Sequence, residues 1–85
     1  MNEYIEKLDL YHKEAGTGNA KAMVKLGKEC SWQNAFRMML YWYYKAFEHG
    51  EYHAAGLIIR HYYLQENYKE ALHWIESALK RMTAM

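Results

Sequence analysis

Residues 33–48, QNAFRMMLYWYYKAFE, align without a gap on residues 65–80, QENYKEALHWIESALK, at an offset of 32. Gln33 falls on Gln65, Leu40 on Leu72, Trp42 on Trp74 and Ala46 on Ala78. The same offset carries Gly18 to Gly50, Ala22 to Ala54 and Leu26 to Ile58. A fixed period in the thirties marks units that cannot bury an apolar face alone and do so by stacking on their neighbours. Trp42 with Ala46, and Trp74 with Ala78, are four residues apart, so each pair lies on one helical face. A large residue beside a small one is how ridges of one helix enter grooves of the next. The expected repeat core is therefore Leu26, Trp42, Ala46, Ile58, Trp74 and Ala78.

Turn chemistry divides the chain into five helices. The first is expected over about 2–15, and Gly16-Thr17-Gly18-Asn19 closes it and caps a second over about 20–30. Ser31 is the expected N-cap of a third over 32–49, which Gly50 ends. The fourth covers 51–64. Asn67 with Glu70 three residues on has the form of a capping box opening the fifth, 67–83. A single domain follows: a leading helix 2–15, repeat one at 20–49 and repeat two at 51–83. The fold class is all-α, five antiparallel helices in an α-solenoid. The apolar run Met38–Tyr44 is far short of the ~20 residues a spanning helix needs. It reads instead as the middle helix of five, buried on most sides.

The 85 residues contain no proline and a single cysteine, Cys30, which excludes an internal disulfide and fits a reduced, cytoplasmic setting. Net charge is +1 with both signs interspersed, so no strong field draws in a polyanion. The start, MNEYIEK, has acids where a signal peptide has bases.

Trp42-Tyr43-Tyr44-Lys45-Ala46-Phe47-Glu48-His49-Gly50, followed by Ala54, resembles the junction between Sel1-like repeats. Ala22-Met23-Val24-Lys25-Leu26-Gly27 resembles the Leu-Gly half of the first helix in Sel1-like or tetratricopeptide repeats, and Asn67-Tyr68-Lys69-Glu70-Ala71-Leu72 the second helix of the latter. Phe47 stands where the Sel1 pattern has a second alanine, Ile59 replaces the glycine after Ile58, and the glycine-rich intra-repeat loop is missing. The resemblance spans about residues 13–80 and implies a right-handed stack of helical hairpins whose first helices line a concave protein-binding face. On that face it places Lys21, Val24, Lys28, Ser31 and Trp32 of repeat one and His53, Gly56, Arg60, Tyr63 and Leu64 of repeat two. The partner-binding residues are thus Lys21, Lys28, Trp32, His53, Arg60 and Tyr63. Bases and aromatics with no acid on the same face suit an acidic or aromatic peptide.

Catalytic readings find little support. His49 and His53 have i, i+4 spacing, but Gly50 separates them, and no cysteine pair completes a metal set. Cys30 lacks an activating helix N-terminus or an oxyanion glycine and reads as a buried thiol. Glu48 and Glu51 read as solvated surface. No catalytic residue, metal or cofactor is expected. The expected function is a non-enzymatic adaptor, inhibitor or immunity-type protein, complete from Met1, with bacterial or phage origin in keeping. A single-strand nucleic-acid binder stacking bases on Tyr and Trp is the alternative. The last helix carries more apolar surface than one neighbour covers, so the chain is expected as a monomer or as a homodimer through an end helix, or else that exposed end helix is where the partner protein docks.

Overall fold

A computed structural model describes residues 3–83. Five helices are present among them and no strand: α1 (Glu3–Gly16), α2 (Ala20–Trp32), α3 (Phe36–Glu48), α4 (His53–Leu64) and α5 (Tyr68–Thr83). Each packs against its neighbour in sequence, α1 on α2 through to α4 on α5. The expected start at Asn2 lies outside the described residues.

The offset of 32 is written into the backbone. Gly18 and Gly50 both adopt left-handed φ, 92° and 98°, a conformation open to glycine without penalty. Asn34 and Glu66 do the same at 58° and 60°. The bonds that close these turns match as well. Gly18 N donates to Ala15 O as Gly50 N does to Phe47 O, and Ala35 N donates to Cys30 O as Asn67 N does to Tyr62 O.

Two caps follow the sequence reading. Asn19 Oδ1 accepts from Ala22 N at 3.2 Å, and Asn67 Oδ1 from Glu70 N at 3.3 Å. The third does not. Ser31 lies inside α2, which runs on to Trp32, and α3 opens at Phe36 after Ala35 with no side-chain cap. The left-handed Asn34 reverses the chain in three residues, leaving no role for a serine cap.

The core repeats with the backbone. Ala22 and Ala54, Met23 and Ala55, Leu26 and Ile58, Met39 and Ala71, and Ala46 and Ala78 are all buried. Trp42 and Trp74 are half-buried against this core and have matching neighbours. The Trp42 ring meets His12 edge-on at 5.7 Å, and the Trp74 ring meets Tyr44, the residue 32 places on from His12, at 5.8 Å.

The middle helix departs from expectation. Met39, Tyr43, Ala46 and Phe47 of α3 are buried, but Met38, Tyr41 and Tyr44 are exposed. The Cα trace measures 44 × 31 × 13 Å, and so thin a slab covers a helix on its flanks without enclosing it. Cys30 is likewise only half-buried. Val24, expected on the outer face, is buried. It lies three residues before Gly27, on the side of α2 that carries the Tyr43 ring.

Gly27 allows that close approach. A Cβ there would fall inside the van der Waals surface of the buried Tyr43 ring. Alanine is favoured over glycine within a helix by about 0.5–1 kcal/mol. Overpacking of about 1–3 kcal/mol outweighs that gain. Gly27→Ala is therefore expected to lower the denaturation midpoint. In a Tyr43→Leu background the same change should cost much less.

Candidate functional site

Between the end of α2, the start of α3 and the last turns of α4 lies an open groove of about 270 Å3. Phe36, Met39, Tyr43, Leu57 and Leu64 give it an apolar lining, and Ser31, Arg60, His61 and Gln65 add polar groups. The turn at 33–35 sets α3 against α2, and α4, which packs on α3 in its turn, supplies the remaining wall. Phe36 and His61 rings, 5.1 Å apart, join the two walls.

Tyr43 forms the floor. Burial pushes its hydroxyl above the ordinary phenol range; the Cys30 thiol acts in the same direction and the Arg60 guanidinium opposes it. Cys30 is itself pushed up, first by burial and then by the neighbouring Glu29 carboxylate. That is the direction opposite to the lowered pKa of a nucleophilic thiolate.

The six expected partner-binding residues are all exposed: Lys21, Lys28, Trp32, His53, Arg60 and Tyr63. Lys21, Lys28 and Trp32 are spaced i, i+7, i+11, which keeps them on one stripe of α2, and His53, Arg60 and Leu64 repeat that spacing on α4. Of the six, Arg60 lines the groove, with Ser31 and Leu64 from the wider set. Trp32, 84 % exposed, directly follows Ser31. Tyr63 turns away toward Tyr68, ring to ring at 5.5 Å. Lys21 and His53 start their helices, seven residues or roughly 10 Å along the axis from Lys28 and Arg60.

The expected absence of acids on this face does not hold at the His53 end. Glu51 Oε1 lies 3.1 Å from His53 Nδ1, because the turn after Gly50 brings the two side by side. Among the described residues Lys28 and Arg60 form no ion pair.

Sequence reasoning missed Phe36, Met39, Tyr43, Leu57, His61 and Gln65. One available signal was Gly27, which lacks a glycine counterpart at Ile59, just as the residue it accommodates, Tyr43, has the smaller Ile75 as its counterpart.

The other singled-out groups lie elsewhere. His49 caps the C-terminus of α3 with Nδ1 2.9 Å from Lys45 O, and His53 opens α4, so the pair does not share a helix. Among the described residues no three His, Cys, Asp or Glu side chains are placed to hold a metal ion. Glu48 is engaged, not merely solvated: Arg81 Nη2 donates to its Oε2 at 2.6 Å, tying α5 to α3. That bond and one from the Tyr44 hydroxyl hold the Glu48 carboxyl below the ordinary carboxylate range. Among the described residues no helix is long and apolar enough to cross a membrane.

No protein-family model matches the chain, and no curated protein or solved structure matches it significantly.

Proposed function

We propose that the chain is a small, non-enzymatic protein-interaction module that works without a cofactor in the cytoplasm. In this reading its hairpins stack as a right-handed α-solenoid of the tetratricopeptide or Sel1-like kind. The outer face of α2 and α4 is its concave side and takes an acidic or aromatic segment of a partner protein. One observation carries the reading: an apolar groove has Arg60, without an ion pair among the described residues, at its edge and a largely exposed tryptophan beside it. An apolar or aromatic anchor would fill the groove while a neighbouring carboxylate meets Arg60. Tryptophan and arginine are the residue types that dominate interface energetics. A rigid helical face also limits the ordering cost of binding. An adaptor or an inhibitor, including an immunity-type protein from a bacterium or phage, would operate in this way.

Tryptophan-fluorescence titration tests it. Acidic peptides with an aromatic anchor are expected to bind with a modest loss of affinity as salt is raised. Tight binding of single-stranded oligonucleotides with a steep salt dependence would favour the base-stacking alternative.

A further inference from the structure

The outward face of α5 carries Tyr68, Leu72, Ile75, Leu79 and Met82, each between 40 % and 57 % exposed. Their spacing, alternately four and three residues, is that of a coiled-coil seam running the length of the helix. The internal repeat shows how the fold treats such a face when another helix follows. Ile75 and Leu79 lie 32 residues after Tyr43 and Phe47, which are buried at 4 % and 3 %: Tyr43 against Gly27 of α2 and beside Leu57 and His61 of α4, Phe47 against Tyr52 at the start of α4 and Trp74 of α5. Nothing among the described residues covers the corresponding side of α5.

We propose that a second copy of this chain covers it, through antiparallel pairing of α5 with α5 about a two-fold axis. Three observations select this occupant. The first is geometric: the α3–α4 hairpin already places an antiparallel helix at the equivalent position. The second is area. The five side chains each expose on the order of 100 Å2, so two seams together bury roughly 1,000 Å2, about what a specific interface requires.

The third is charge. With Leu72 opposite Ile75 of the second copy and Tyr68 opposite Leu79, Lys69 falls beside Glu76 of the second copy, twice by symmetry. Sliding the pairing by one layer, so that Ile75 meets Leu79, sets Glu76 against Glu76. Opposite charges flanking an apolar seam fix register in this manner. Lys69 and Glu76 are both exposed, and neither is ion-paired among the described residues. The helix is thus its own complement in one register and repels itself in the next.

The surface is separate from the α2–α4 face, so peptide binding and self-association can fail independently. Sedimentation equilibrium over micromolar to near-millimolar concentrations is the test. The full chain is expected at about twice its 10.2 kDa mass at the upper end of that range. Ile75→Asp is expected to be monomeric throughout. Glu76→Lys should raise the dissociation constant about tenfold or more, and Lys69→Glu combined with Glu76→Lys should return it to the original value. Both charged positions are exposed, so these two variants decide the matter even if Ile75→Asp proves poorly folded. A chain that stays monomeric overturns the proposal, including one that is monomeric but binds an amphipathic helix of another protein. A dimer indifferent to Ile75→Asp, or a double exchange that fails to restore association, overturns it as well.

Discussion

Ala46→Leu is expected to destabilise the protein by about 1–3 kcal/mol, with the upper end the more apt because the site has no slack. Ala46 has no accessible surface, and its carbonyl oxygen also accepts the hydrogen bond from Glu51 N that closes the following turn. Three added carbons must push α3 away from a neighbouring helix or force neighbouring side chains out of their rotamers. Domains are stable by roughly 0.05–0.15 kcal/mol per residue, so a chain of this length loses a large share of its margin. Urea denaturation followed by circular dichroism measures the effect. Tyr41→Leu, at a half-exposed site on the same helix, serves as the control and is expected to fall within about 0.5 kcal/mol of the parent. Equal midpoints for Ala46→Leu and the parent would mean that the helices do not interlock at the small residues.

Lys28→Glu combined with Arg60→Glu is expected to leave the fold intact and remove partner binding. Both side chains are exposed and outside any ion pair among the described residues, so reversing them breaks nothing in the folded chain. Toward an acidic segment, however, two attractions become two repulsions. Like charges set side by side across an interface cost several kcal/mol, so affinity should fall at least about thirtyfold. Titrations of parent and double variant with the same peptide check this, alongside thermal melts. Unchanged affinity would show that the ligand does not use this face.

The fold was legible in the sequence wherever a residue's chemistry admits one conformation. Gly18 and Gly50 announced their turns because left-handed φ is nearly reserved for glycine, and Asn19 and Asn67 announced helix starts because their side chains replace missing backbone acceptors. The α2–α3 turn was misread because its left-handed residue is Asn34, and the equivalent turn uses Glu66, a residue type that seldom adopts that conformation. Ser31, a good capping residue, therefore drew the boundary to the wrong place. Periodicity located the core pairs but not their neighbours. It separated Trp42 and Trp74 from the solvent face, yet did not distinguish buried Tyr43 from exposed Tyr41 and Tyr44, because all three have the same apolar character. That distinction depends on Gly27, sixteen residues away in sequence, which leaves room for one ring only. The groove was illegible for the same reason. Its walls come from three helices, and the stripe on α2 and α4 gave only Arg60, Ser31 and Leu64 of its lining.

Backbone and side-chain shift mapping by NMR gives the most direct test of where this protein meets its partner. Acidic peptides with an aromatic residue, selected from a display library against the full chain, would be titrated into isotopically labelled protein. Binding through the proposed face predicts perturbations centred on Lys28, Trp32, Phe36, Arg60 and Leu64, with α1 and the seam of α5 silent. A selection with no preference for acidic sequences, or shifts concentrated on α1 or α5, would contradict it.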